Sequence, residues 1–172
     1  MVLRLFIIFC CFVVIIACNN KPQQTEDTSN KTNTTDVLTE TDIAKLKYIE
    51  FALDPKVEVL TEPWQPYSRL KTAITNIKMA NFSFFDEDEQ AIFQLVKELR
   101  KDIPDTLKTQ SVLSRITIVE NMLYKLDETY KLNTTTRSEL AASTKELLVA
   151  YSNLNFQLNK KLEKDNQKIV RP

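Results

Sequence analysis

The chain has 172 residues, 43% of them apolar, and its 23 basic residues balance 23 acidic ones, so it lacks the basic excess that displaces counterions from nucleic acids. It contains no histidine, which removes the commonest general base and metal ligand and excludes Glu-x-x-His di-iron bundles. It contains no glycine, which excludes phosphate-binding glycine loops. We therefore expect no cofactor, no metal site and no nucleic-acid partner, and we expect Asn, Asp or Lys to end the helices in place of glycine.

The N-terminus carries an unbroken apolar run of 13 residues, 5–17, directly after Arg4. A transmembrane helix needs roughly 20 such residues, whereas the core of a secretory signal needs roughly 7–15. The run ends at Ala17-Cys18 and is followed at once by polar residues. This stretch resembles a bacterial lipoprotein (type II) signal peptide, in which a small residue precedes the cysteine that is lipidated. The alternative is an ordinary secretory signal whose cysteines are apolar filler.

The resemblance implies a location for the rest of the chain. Cleavage would remove residues 1–17, and Cys18 would become a lipidated N-terminus that anchors the protein to a membrane. Three acyl chains, as such lipoproteins usually carry, would anchor it stably, whereas one chain binds only marginally. The mature chain would hold no second cysteine and hence no disulfide. We expect it in the cell envelope, in the outer membrane of a Gram-negative bacterium, on the periplasmic face or the surface.

Residues 18–38 are almost entirely polar and predict a flexible, disordered linker, because they cannot bury enough surface to offset the entropy of ordering. The helical domain is predicted over residues 39–172. Its first element is a short helix over 39–53, with an apolar face made of Ile43, Leu46, Ile49 and Leu53. Asp54-Pro55 is predicted to end this helix, since the residue before proline avoids helical geometry. Residues 55–63 are interpreted as an extended connection.

Four long amphipathic helices follow, predicted over 65–81, 86–103, 109–132 and 136–166. The third has the clearest pattern, because its apolar residues alternate at spacings of four and three: Val112, Ile116, Val119, Leu123, Leu126 and Tyr130. Thr135 or Thr136 is expected to cap the fourth helix, and Asp86 the second. Short connections make neighbouring helices antiparallel, so the fold class is all-α, an antiparallel four-helix bundle.

Three groups of residues are candidate sites. The acidic run 86–89 lacks the glycine and glutamate of a calcium loop and fits a helix start instead. Ser143 and Lys145 lie two residues apart, which places them on different faces of a helix. Trp64 and Tyr67 are candidate contact residues for a partner or a glycan, with core packing the preferred alternative.

The chain also resembles the small helical lipoproteins of flavobacteria and their relatives. The stretches that carry this resemblance are the Cys18 exit, Leu53-Asp54-Pro55-Lys56-Val57-Glu58 and Tyr151-Ser152-Asn153-Leu154-Asn155-Phe156-Gln157. It implies a location but no particular chemistry. The functional hypothesis is a non-enzymatic, lipid-anchored module that acts through an unknown protein partner. The alternatives are an envelope enzyme using carboxylate or Ser/Lys chemistry, and a carrier of an apolar ligand between the helices.

Overall fold

The computed structural model describes residues 38–86 and 90–167, and within these ranges the chain is helical and contains no strand. This confirms the all-α fold class. The helices, numbered in chain order, are α1 Glu40–Ala44, α2 Pro55–Thr61, α3 Gln65–Lys78, α4 Gln90–Lys101, α5 Gln110–Lys131 and α6 Arg137–Asn166, with a short 3₁₀ turn at Ser83–Phe85 before α4. The predicted signal peptide, Cys18 and the linker up to residue 37 lie outside the described residues, as do residues 87–89 of the predicted acidic helix start.

The caps of the two longest helices follow from side chains in the sequence. The Thr109 side chain accepts a hydrogen bond from the backbone N–H of Val112 and begins α5. Thr136 begins α6 with a reciprocal capping box, in which its side chain accepts from Glu139 N while the Glu139 carboxylate accepts from Thr136 N at 2.8 Å. Both helices therefore start and end within a residue of their predicted bounds.

The end of α3 differs from the prediction. The helix stops at Lys78, before the predicted bound of 81, because Ala80 turns the chain with a left-handed φ of 57°. The backbone N–H of Asn81 then donates to the carbonyl of Asn76 at 2.9 Å, which closes the helix end. In the absence of glycine we expected Asn, Asp or Lys at such a position. Here an alanine occupies it, held there by the closing hydrogen bond.

The core lies along the apolar seams of the long helices. On α5 the five seam residues from Val112 to Leu126 are fully buried, and on α6 Leu147, Leu154 and Leu158 are fully buried. The α5–α6 contact is the most extensive, and α4 contacts both α3 and α5. Phe82 and Phe85 are buried beside Tyr130, with ring centroids 5.3 and 6.1 Å from its ring. These two phenylalanines therefore belong to the core.

The segment before α3 contains two corrections. The helix predicted over 39–53 is confined to Glu40–Ala44, and residues 46–54 are not helical. The connection predicted to be extended over 55–63 is instead the helix α2, whose N-cap Asp54 accepts a hydrogen bond from Lys56 N at 2.8 Å and whose first residue is Pro55. Proline suits the first helical position, so Asp54-Pro55 starts a helix where we predicted that it would end one. Both α1 and α2 contact α3 and α6.

Candidate functional site: a polar ladder on the last helix

Residues 46–54, here called the strap, lie against α6 and are held there by side chains of that helix. Three α6 residues form hydrogen bonds to the strap backbone, and we call them the ladder: Ser152, Asn155 and Asn159. Their spacing of three and four residues places them on one helical face. The ladder therefore supplies the polar partners that a neighbouring strand would supply in a sheet.

Each end of the ladder both donates and accepts. Ser152 Oγ accepts from the backbone N–H of Phe51 at 2.7 Å and donates to the carbonyl of Ile49 at 2.8 Å. Asn159 Oδ1 accepts from Asp54 N at 2.9 Å, and its Nδ2 donates to the carbonyl of Ala52 at 2.8 Å. Because every one of these bonds ends on the backbone of the strap, the ladder recognises the path of the chain and not its side chains.

The middle of the ladder is tied to α3. Asn155 Nδ2 donates to the carbonyl of Phe51 at 3.1 Å, while its Oδ1 accepts from the Tyr67 hydroxyl at 2.7 Å. The Tyr67 hydroxyl also lies 3.3 Å from that of Tyr151. Burial raises the pKa of Tyr67 above its ordinary value, and the nearby Tyr151 raises it further. The hydroxyl therefore stays protonated and acts as a donor to Asn155.

Trp64 and Tyr67, the candidate contact residues, are 0% and 2% exposed. Their rings stack with centroids 5.1 Å apart. The structure thus places both in the core, which is the preferred alternative, and it brings Tyr67 to the ladder. Sequence reasoning missed the ladder itself. Its signal was the occurrence of Ser152, Asn155 and Asn159 at helical spacing on the same side as the apolar seam.

The side chains of the strap complete the contact. Leu46, Tyr48 and Leu53 are half-buried against the core, and Phe51 packs on Phe156 with ring centroids 4.7 Å apart. Glu50 forms an ion pair with Lys78 at the end of α3. Ile49, in contrast, is 73% exposed.

The remaining candidates are not brought together into one site. Ser143 is buried and donates to the carbonyl of Glu139 at 2.7 Å, whereas Lys145 is exposed. Leaving tyrosine and tryptophan aside, the buried polar residues within the described ranges are Thr61, Ser143, Thr144, Ser152 and Asn155. None of these five carries a carboxylate or an amine. Residues 38–86 and 90–167 contain no cluster of potential metal ligands, and none of their helices is long and apolar enough to cross a bilayer.

The described surface has several open clefts of about 340 to 490 Å³. The cleft between α3 and α4, about 440 Å³, has Ser68, Thr72 and Asn76 among its lining residues. A second, about 490 Å³, lies beside the exposed rings of Phe93 and Tyr124 on α4 and α5. Both clefts are open to solvent and carry polar groups.

No family model, no curated protein and no solved structure matches this chain.

Proposed function

We propose that the protein is a lipid-anchored, non-enzymatic helical protein of the bacterial cell envelope that acts as a protein-interaction or structural module. The observation that carries this proposal is the Ala17-Cys18 exit from the apolar run of residues 5–17, followed directly by polar residues. The expected location is the outer membrane of a Gram-negative bacterium. The anchor is lipid on Cys18, and residues 19–37 link it to the folded domain.

We further propose that the four long helices form an antiparallel bundle. Ion pairs between consecutive helices support this arrangement, because Lys125 near the end of α5 pairs with Glu146 near the start of α6. Arg100 near the end of α4 likewise pairs with Glu120 in the first half of α5. The α5–α6 connection, residues 132–136, is too short to return to the other end of a long helix.

The use of buried polar groups favours a structural or binding role over the two alternatives. An enzyme using carboxylate or Ser/Lys chemistry would need ionisable side chains converging in a pocket, whereas the polar groups of the ladder are bonded to the strap backbone. A carrier of an apolar ligand would need an enclosed apolar cavity. The clefts around the described helices are open and partly polar.

The test is metabolic labelling of the full chain with a palmitate analogue in a Gram-negative host. Wild type and the control Cys11→Ser should incorporate the label, because Cys11 lies in the segment that would be removed. Cys18→Ser should not incorporate it. Mass spectrometry of the N-terminal peptide should find a chain that begins at a lipidated Cys18. An unlabelled wild type, or equal labelling of Cys18→Ser, would refute the anchor.

A further inference from the structure

The cleft between α3 and α4, about 440 Å³ in volume, is lined by side chains that carry hydroxyl and amide groups. Ser68, Thr72 and Asn76 follow one another at four-residue spacing, which places them on one face of α3. Ser83, in the 3₁₀ turn, and Gln94, on α4, line the same cleft. Uncharged polar side chains from three segments of the chain are therefore brought together in one place.

Most of these polar groups have no partner inside the protein. Within the part of the chain that the structure describes, no hydrogen bond joins another protein group to the side chains of Ser68, Asn76, Ser83 and Gln94. The Thr72 hydroxyl donates to the carbonyl of Ser68 at 3.1 Å, and its oxygen is still able to accept. A ligand in the cleft would therefore displace only water from these donors and acceptors.

The charge of the cleft favours an uncharged ligand. Arg69 is the one charged residue among the described residues that line it, and its guanidinium forms an ion pair with Glu98 on α4. A phosphate or carboxylate ligand would have to compete with Glu98 for this cation. Hydroxyl and amide side chains both donate and accept hydrogen bonds, as the hydroxyl groups of a sugar do. The polar lining therefore matches a neutral sugar.

The rest of the lining supplies an aromatic ring and small apolar side chains. The half-buried Phe84 ring meets the ring of Phe85 edge-on, with centroids 5.3 Å apart, which fixes its position. Ala73 and Leu95 are buried and Ala91 is half-buried, so the alanines leave space in the cleft. The carbon-bound hydrogens of a sugar ring form an apolar face, which can pack on an aromatic ring and withdraw both surfaces from water.

We propose that the α3–α4 cleft binds a short neutral oligosaccharide. The hydroxyl and amide side chains that line the cleft bind the sugar hydroxyls, and Phe84 packs against one sugar face. The cleft volume lies within the range of small-molecule sites, about 300–1,000 Å³. Because the cleft is open to solvent, further sugar units can extend beyond it. The site consists of residues of the folded domain and does not involve Cys18, so its test is independent of the proposed anchor.

The experiment adds three trisaccharides separately to the full-length chain: the neutral maltotriose and chitotriose, and the anionic trigalacturonate. Saturation-transfer difference NMR detects weak binding through the signals of the sugar protons. At least one of the neutral sugars should receive saturation, and trigalacturonate should receive several-fold less. A preference for chitotriose would assign the cleft to acetamido sugars, and a preference for maltotriose to plain hexoses. No transfer to either neutral sugar, or the strongest transfer to trigalacturonate, would overturn the proposal.

A pair of alanine substitutions tests whether the sugar lies in this cleft. Ala91→Trp fills the cleft and should abolish the transfer. The matched control is Ala142→Trp, which fills a different cleft beside the α5–α6 turn and should leave the transfer unchanged. Circular dichroism verifies that both variants are folded. Equal transfer in the two variants would place the sugar elsewhere and overturn the α3–α4 cleft as its site.

A pair of phenylalanine substitutions tests the aromatic contact without filling the cleft. Phe84→Leu keeps an apolar side chain but removes the ring, and should weaken binding several-fold. Phe93→Leu changes an exposed phenylalanine that lies on α4 outside this cleft, and should have no effect. Weakening by Phe93→Leu alone would assign the sugar to the cleft beside Phe93 and Tyr124 and would overturn the proposal.

Discussion

At the scale of single residues, Asn155 is the central connection of the site. Its amide oxygen accepts from Tyr67 on α3 and its amide nitrogen donates to the carbonyl of Phe51 in the strap. One side chain therefore joins three segments that are far apart in sequence. Because Asn155 is buried, its removal leaves partners that water reaches poorly.

Asn155→Ala should lower the free energy of unfolding by about 2–3 kcal/mol, since it leaves the Phe51 carbonyl and the Tyr67 hydroxyl without this partner. Denaturant unfolding monitored by circular dichroism measures the loss. The control is Asn153→Ala on the same helix, outside the ladder, which should change stability by no more than about 0.5 kcal/mol. Equal effects of the two substitutions would contradict the role of the ladder.

Tyr67 makes the domain sensitive to alkaline pH. Its pKa is raised in the folded state, so the folded chain keeps a proton that the unfolded chain loses above its ordinary pKa of about 10. This contribution to stability is complete below pH 10 and decreases as pH rises above it, by about 1.4 kcal/mol per pH unit. Tyr67→Phe should be about 1 kcal/mol less stable at pH 7 but should lose less stability between pH 9.5 and 11.

Unfolding midpoints of wild type and Tyr67→Phe across this pH range provide the measurement. Tyr48 and Tyr130, whose pKa values burial also raises, remain in both proteins, so the difference between the two curves isolates Tyr67. Parallel curves would show that its hydroxyl titrates alike in the folded and unfolded chains.

At the scale of elements, the turn after α3 carries a local cost. Ala80 adopts a left-handed backbone, with φ at 57°, which is unfavourable for any residue with a Cβ atom. Glycine has no such penalty. The packing that follows the turn offsets this cost, because Phe82 and Phe85 enter the core beside Tyr130.

Ala80→Gly should therefore raise the free energy of unfolding by about 0.5–1 kcal/mol. The matched control is Ala142→Gly, in the second turn of α6 and exposed, where the same substitution should lower stability by about 1 kcal/mol. Opposite signs in the same thermal or denaturant assay are the expected result. Destabilisation by both substitutions would contradict the strained turn.

Much of this level of structure was predictable from local patterns, and the failures have identifiable causes. The seams of α5 and α6 specify their own helices, because apolar spacing, caps and length agree. The strap is a segment that local patterns do not predict. Leu46, Ile49 and Leu53 have helical spacing, yet the strap is not helical, because the side chains of the ladder, about a hundred residues later, form hydrogen bonds with its backbone. For α2 the local signal was present, since Asp54 and Pro55 are a favourable N-cap and first residue.

At the scale of the whole domain, stability should be uneven. The α5–α6 contact contains the most fully buried seams, whereas the strap is fastened mainly by side chains. Hydrogen exchange followed by mass spectrometry should show the strap amides of Phe51 and Asp54 exchanging about tenfold or more faster than those around Leu123 in α5. Asn159→Ala should further increase the exchange rate of the strap amides and leave the exchange of the α5 amides unchanged. Equal protection of both segments would show that they open only together.

The order of segments along the chain also sets the order in which the domain would yield to mechanical load. A pull from the N-terminal side reaches Leu38 and α1 first, then the strap, and only afterwards the long helices. The Asp42–Arg137 ion pair and the hydrogen bonds of Ser152, Asn155 and Asn159 would break before the seam leucines of α5 and α6 are exposed. Residues 38–54 would thus unfold and extend under tension while the long helices that follow them in the chain remain folded.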